Sequence, residues 1–298
     1  MPKPVVTSVS LMVSTYNWKE ALALVLHSIA KQSHLPDEVI VTDDGSRDDT
    51  FALLQDMAQS FPVPLRHVWQ LDEGFRLARS RNRGIAAACS DYLIQVDGDM
   101  ILHPHFVADH LQLARPGSYL QGTRIRTTET ETARLLSGGH PRFGWFADAY
   151  FRDDDDRSTY HFGRRHHTLR LPWLARLKAR STGHPMGCNV SFWRQDLLRV
   201  NGYDERMLGY GSEDLEIDIR MRNAGLRRRQ IKFAALALHL EHRSAATMDP
   251  SDPELPNNKL LYASRDERRV RSEYGVDAHL AEFAEPAADL RTLGARRV

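Results

Sequence analysis

Apolar positions in the first 126 residues alternate between two periods. Val9–Ser14 (VSLMVS) predicts a strand. Asn17 then reads as a helix N-cap, with Glu20 three residues later in capping-box position, and Leu22, Val25, Leu26 and Ile29 follow at helical spacing. Glu38–Thr42 (EVIVT) predicts a second strand, residues 50–59 a second helix, and Leu65–Trp69 a third strand. Phe75–Cys89, rich in Arg and Ala, predicts another helix, and Tyr92–Val96 (YLIQV) a strand that is apolar on both faces and stops at Asp97-Gly98-Asp99. Strands alternating with helices at this spacing imply βαβ units around a mainly parallel, buried sheet.

The pattern breaks over residues 127–183, which hold Gly138-Gly139, the acidic run Asp153–Asp156 and many Arg and His. They read as a loop-rich insertion with short helices, either surface decoration or a place for an acceptor. Regularity returns at Gly187. Cys188–Trp193 is strand-like, Arg194–Val200 a short helix, and Glu213–Asn223 a helix closed by Gly225. Ile231–Leu240 reads as extended and runs into His239-Leu240-Glu241-His242, and the tail from Asn258 is helical and charged. Without repeats or a low-complexity linker, the chain reads as one continuous α/β domain. Its parts are 1–126, the insertion 127–183, 184–245, and a helical tail 246–298.

Composition narrows the function. Lys and Arg number 40 against 39 Asp and Glu, a net charge of +1, which argues against a general nucleic-acid binder. At 42% hydrophobic residues the chain can build a core, and its 2 cysteines form no disulfide framework. The polar, proline-containing start shows no targeting segment, and the longest apolar run, Ala21–Leu26, falls far short of the roughly 20 residues that span a bilayer. The expectation is a cytoplasmic protein, with peripheral contact at the inner face of a membrane left open.

Candidate chemistry sits at strand ends. Asp97 and Asp99 flank a glycine where a buried strand stops, and in open α/β sheets ligands bind beyond the carboxyl ends of the strands. Two crowded acids call for a counter-charge, which Mg²⁺ or Mn²⁺ can supply. Asp43-Asp44-Gly45-Ser46 ends another strand and reads as a turn or as a phosphate- or base-facing loop. Gly211-Ser212-Glu213-Asp214 opens a helix, where acids serve either as caps or as a general base. His239 and His242 read as structural residues or as ligands for the same metal. Arg79, Arg81 and Arg83 alternate around one helix, so they cannot all serve one phosphate.

Together, VSLMVSTYNW, VIVTDDGSRDDT and ARSRNRGIAAACSDYLIQVDGDM resemble the inverting family 2 glycosyltransferases of GT-A fold, over roughly residues 8–107. GCNVSFWRQDLLRVNGYDERMLGYGSEDLEIDIRMRNAG and ALHLEH resemble the C-terminal half shared with galactosyltransferase-like enzymes and bacterial polysaccharide chain polymerases. The resemblance implies a GT-A (Rossmann-like) fold and transfer from a nucleoside diphosphate sugar, UDP-linked, to a carbohydrate or glycolipid acceptor such as a growing surface polysaccharide or lipopolysaccharide. It puts Thr15 and Tyr16 beside the nucleotide, Asp44 on the base, and Arg81 and Asn82 on the nucleotide side. Asp97 and Asp99 match the DXD motif, touching ribose and metal, with His239 or His242 as the C-terminal metal ligand. Asp214 matches the catalytic base, Glu213 a sugar contact, and Asn189 and Trp193 the strand walling the acceptor site. Glycine at position 98 departs from the commoner Asp-Ala-Asp or Asp-Asp-Asp, and many relatives carry a proline in the first loop where this chain has Ser14–Asn17.

Two rivals use the same residues. A sugar nucleotidyltransferase would want a glycine-rich basic loop near the start, and Ser14–Lys19 has no glycine. A non-catalytic carbohydrate-binding protein on the same fold would have no need of Asp97, Asp99, Asp214 and both histidines.

Overall fold

Strands and helices alternate through the first hundred residues as the periodicity predicts. They are β1 (Val9–Thr15), α1 (Lys19–Ala30), β2 (Glu38–Asp43), α2 (Asp48–Ala58), β3 (Leu65–Trp69), α3 (Leu77–Ala87) and β4 (Tyr92–Asp97). β5 (Met100–Leu102), α4 (Phe106–Leu113), β6 (Ser118–Gln121), β7 (Thr123–Thr127) and α5 (Glu129–Leu136) come next. The remaining elements are β8 (Ala149–Arg152), β9 (Tyr160–His161), α6 (Pro172–Lys178), β10 (Asn189–Trp193), α7 (Arg194–Val200), α8 (Glu213–Asn223), β11 (Arg227–Gln230), β12 (Leu236–His239), α9 (Pro256–Asp266) and α10 (Asp277–Leu280). This computed structural model describes residues 6–143, 149–152, 160–161, 168–178, 185–242 and 252–285. The acidic run 153–156, and parts of the expected insertion and tail, lie outside the described residues.

β1 pairs in parallel with both β2 and β4, and β3 extends the sheet beyond β2. The seven-stranded order is β11-β6-β10-β4-β1-β2-β3. β10 runs against both its neighbours, β4 and β6, so the sheet is mixed but mainly parallel. All seven residues of β1 and all six of β2 are buried, as strands covered on both faces require. Leu11 and Val13 pack with Leu22 and Leu26 of α1 on one face, whereas Met12 packs with Ile85 of α3 and Met221 of α8 on the other. Burial of Leu22, Val25, Leu26 and Ile29 holds α1 to the sheet, each side chain contributing about 1.5–3 kcal/mol.

A second sheet, ordered β5-β12-β7-β8-β9, stands beside the first. Its β7, with α4 and β6, falls where the hydrophobic pattern marks nothing. The extended reading of Ile231–Leu240 shortens to β12, because Phe233 and Ala235 take positive φ, 64° and 48°. The tail supports α8: Ser264 of α9 donates to Glu216 Oε1 at 2.7 Å, and Asn223 donates to the Ser264 carbonyl at 3.1 Å. No helix among the described residues is long and apolar enough to cross a membrane.

One helix start differs from the expectation. Trp18, not Asn17, is the N-cap of α1, and it makes no side-chain cap bond. Asn17 sits at φ 48°, where its Oδ1 accepts from Arg47 N at 3.0 Å and its own N–H donates to Ser46 Oγ at 2.8 Å. Its amide thus ties the loop after β1 to the loop after β2 instead of capping its own helix; asparagine tolerates this left-handed backbone.

Candidate active site

Parallel register sets the carboxyl ends of three strands side by side. Thr15 pairs with Asp43 and Ser14 with Asp97. The turn after β4 lies against the end of β1: Gly98 N donates to Ser14 O at 2.7 Å, and a Cβ on residue 98 would meet that oxygen at 2.9 Å. Any side chain there would push the Asp-Gly-Asp turn off β1, which accounts for the glycine between the two acids.

Beyond that turn, Asp97 and Asp99 part company. Asp99 faces the second sheet. Antiparallel pairing of β5 with β12 sets Met100 opposite His239, and Leu240 N donates to Asp99 O at 3.0 Å. His242 Nε2 lies 3.1 Å and His239 Nε2 3.5 Å from Asp99 Oδ2. One ligand atom from each of these three residues lies within 4.8 Å of the others, and both histidines share the site. Burial pushes His239 down to about 4, so its imidazole is neutral at pH 7 with a lone pair to give. Burial also acts to raise Asp99, but the two imidazoles outweigh it and hold the carboxyl below its ordinary value. Asp99 Oδ1 is buried with no hydrogen-bond partner, an arrangement that is costly unless something charged completes it. A neutral imidazole, a second imidazole and an ionised carboxylate with an open oxygen fit a divalent cation.

Asp97 does not join that group. Its Oδ1 accepts from Arg81 Nη2 at 3.2 Å, so the expected second DXD ligand faces a guanidinium instead. The same Arg81 donates through Nη1 to Asp214 Oδ1 at 3.0 Å and to Glu213 Oε1 at 3.4 Å. With its side chain only 2% exposed, Arg81 is the shared counter-charge of three carboxylates drawn from β4 and α8. Burial, then the neighbouring Asp99 and Asp214, push Asp97 up to about 6 against the pull of Arg81. Burial and the adjacent Asp214 push Glu213 up to about 7.

Asp214 is anchored twice. Beyond Arg81, its Oδ2 accepts from Gly187 N at 2.7 Å. A Cβ on residue 187 would lie 2.1 Å from Asp214 Oδ1, so only glycine lets the backbone come this close. The carboxylate is therefore oriented by two donors while its side chain keeps 25% exposure. α8 begins from Ser212 at φ 71° with no side-chain cap, so Asp214 at its start binds across the site and is not a cap.

The third group lies at the ends of β1 and β2. Asp44 Oδ1 accepts from Gln70 Nε2 at 2.6 Å and Oδ2 from Arg76 N at 2.7 Å. Its backbone N–H donates to Thr15 O at 3.1 Å. Tyr16, 51% exposed, donates to Asp72 Oδ2 at 3.1 Å, and its ring overhangs this corner.

Other expected residues face elsewhere. Asn82 is fully buried: its Nδ2 donates to Tyr203 O at 2.9 Å and Glu205 Oε1 at 2.8 Å, and its Oδ1 accepts from Tyr203 N at 2.8 Å. Every polar atom of that amide holds the chain before α8, so none reaches a nucleotide. Asn189 likewise binds Thr123 O, Ala235 O and His110 Nε2 inside the core, because it pairs with Val96 in the middle of the sheet. Trp193 pairs with Tyr92, the first residue of β4, at the opposite end of the strand from Asp97. The sequence reading passes over Gly187, and it puts Arg81 on the nucleotide side, whereas the partners of Arg81 in the structure are carboxylates. Their positions are set by contacts across the fold, and only the Gly187-Cys188 strand start hints at one of them.

The description "glycosyl transferase family 2" matches residues 10–189, and "N-terminal domain of galactosyltransferase" matches residues 175–243. The validoxylamine A glucosyltransferase of Streptomyces hygroscopicus subsp. limoneus is 30% identical over 252 residues, covering 76% of this chain and 51% of that protein. The chain thus spans about half the length of the curated relatives it matches first. Among solved structures, Staphylococcus aureus TarS in complex with UDP-GlcNAc superposes with a TM-score of 0.57 at 15% identity, covering 93% of this chain and 72% of that one. The Pyrobaculum calidifontis mannosyltransferase PcManGT, in complex with GDP-Man and Mn²⁺, superposes with a TM-score of 0.51 at 18% identity, covering 89% and 72%. These likenesses agree with the mixed, mainly parallel sheet, and with a match over more than half its length the chain belongs to glycosyl transferase family 2.

Proposed function

We propose that the protein transfers a sugar from a nucleoside diphosphate donor, UDP-linked, to a hydroxyl of a carbohydrate or glycolipid acceptor, with inversion at the anomeric carbon. The observation that carries this reading is the doubly anchored Asp214 carboxylate, held by Arg81 and Gly187 beside the strand-end acids. An oriented carboxylate with partial exposure is the group a general base requires, and each of its oxygens keeps a lone pair for an acceptor proton. The acceptor oxygen attacks the anomeric carbon as Asp214 takes its proton. The bond from that carbon to the diphosphate breaks, and the nucleoside diphosphate leaves from the opposite face.

Asp44 and Tyr16 serve the donor's base end, and Thr15 lines the loop between base and diphosphate. Asp97, paired with Arg81, faces the ribose. Asp99, His239 and His242 would hold a divalent cation, and two imidazoles in the set favour Mn²⁺ over Mg²⁺, which takes mostly oxygen ligands. Such a cation, when bound, supplies positive charge to the leaving diphosphate. Glu213, raised toward neutrality, is suited to donate a hydrogen bond to a sugar hydroxyl. We place the enzyme in the cytoplasm, acting in surface-polysaccharide or lipopolysaccharide assembly.

The test is a screen of UDP-, GDP- and TDP-sugars for release of nucleoside diphosphate with Mn²⁺ and with chelator. Metal-dependent release from a UDP-sugar supports the reading, and metal-independent or absent release from every donor overturns it.

A further inference from the structure

The two histidines of the Asp99 cluster are held differently. His239 is the last residue of β12, locked in the ladder, with its side chain 6% exposed. His242 lies three residues past the strand, and its side chain is 39% exposed. Just before it, the Glu241 N–H donates to Thr132 Oγ1 at 2.9 Å. Beyond it, aromatic rings flank the His242 imidazole. One is His239, its centroid 5.2 Å away. The other is Trp18, whose ring meets the imidazole edge-on at 5.7 Å with planes at 78°.

Trp18 is itself well fixed. Its carbonyl accepts from Leu22 N at 3.1 Å in the first turn of α1, and its indole packs on the core of Ile125, Leu236 and Leu238. It also directly follows the Thr15–Asn17 loop, whose Asn17 is tied to Ser46 and Arg47. A packed indole therefore stands against the more exposed member of the ligand set, whose Nε2 lies 3.1 Å from Asp99 Oδ2, and edge-to-face contact restricts how a ring can turn.

We propose that Trp18 is a positioning residue for His242: its ring holds the exposed imidazole turned toward Asp99, so that the three ligands are pre-arranged before a cation arrives. This role rests on the metal reading of the Asp99 cluster. Groups behind a metal ligand often tune affinity as strongly as weak ligands do. Removing the ring takes one constraint from the His242 imidazole, and cation affinity falls because ordering it again costs conformational entropy.

The experiment titrates the full chain with Mn²⁺ alone and reads free Mn²⁺ by electron paramagnetic resonance. Trp18→Ala is expected to weaken binding roughly 2- to 10-fold, and Trp18→Phe, which keeps an aromatic edge, to stay within about twofold of the parent protein. In a His242→Ala background, Trp18→Ala should add no further loss, because the group it positions is gone. A purely structural Trp18 would instead weaken both backgrounds alike, and that result overturns the role. If Asp99→Ala binds Mn²⁺ as well as the parent does, the metal reading fails and the Trp18 role falls with it. If Asp99→Ala loses Mn²⁺ while Trp18→Ala does not, only the Trp18 role falls. Should Trp18→Ala fail to fold, Trp18→Leu takes its place, keeping the apolar packing and losing the aromatic edge.

Discussion

The carboxylates of Asp97 and Asp99 leave one strand end on either side of a glycine, yet they enter different surroundings. Asp97 meets a buried guanidinium that also binds Glu213 and Asp214. Asp99 meets two imidazoles, one of them held neutral by burial, and keeps one oxygen without a partner. The first cluster carries its own cation within the chain, one guanidinium among three carboxylates. The second keeps an open carboxylate oxygen beside two imidazoles, an arrangement that a cation from outside can complete. In the proposed reaction the two clusters divide the labour: the Arg81 cluster orients the base, and the Asp99 cluster handles the leaving group.

The comparison breaks most visibly if the second cluster needs nothing from outside. Chelation with EDTA is expected to abolish transfer and Mn²⁺ to restore it, as followed by nucleoside diphosphate release. Full activity in EDTA would show that the Asp99 cluster needs no cation from outside.

Next in size comes removal of the internal cation. Arg81→Met leaves three part-exposed carboxylates without their shared cation, and the loss is expected at or below about 3–5 kcal/mol, the cost of breaking a fully buried pair. The melting temperature should fall by roughly 10 °C, measured by calorimetry without ligands. An unchanged melting temperature would mean that the acids are neutralised some other way. The smallest effect concerns Glu213, pushed from an ordinary value of 4.5 up to about 7 by burial and Asp214. A carboxyl raised on folding binds its proton more tightly in the folded chain. Its contribution to stability is therefore greatest at low pH and declines as pH rises from about 4.5 to about 7. Glu213→Gln, which has no proton to lose, should show a shallower fall in melting temperature across that window. Parallel curves for the two proteins would contradict the shifted carboxyl.

The contrast between the clusters also explains what could be read from the chain beforehand. Strands β1, β2 and β4 are six or seven residues long, largely buried and separated by periodic helices, so their ends, and the acids on them, follow from local pattern alone. β6 and β7 are short and carry polar residues, as in Thr123–Thr127 (TRIRT), where only Ile125 and Thr127 are buried. Such strands exist by virtue of the partners they pair with, and the pattern leaves no mark. The candidate acids and histidines were legible as residues, and Asp99 with the two histidines as one metal group, but the gathering of Asp97, Glu213 and Asp214 on Arg81 was not. Arg81 reaches Asp214 across 133 positions of sequence, and Asn82 beside it turns inward to Tyr203. Helical periodicity gives a side chain's face, not which distant carbonyl or carboxylate that face will meet.

Asp214→Asn, assayed for turnover and for Mn²⁺ affinity on the same protein, tests the division of labour most directly. The amide keeps an oxygen for Gly187 N or Arg81 and cannot take a proton. Turnover with a UDP-sugar that the parent protein uses should fall roughly 10²–10⁴-fold, while Mn²⁺ affinity stays at the parent value. Near-normal turnover would remove Asp214 as the base, and a collapse of Mn²⁺ affinity alongside the rate would show that the two clusters act as one.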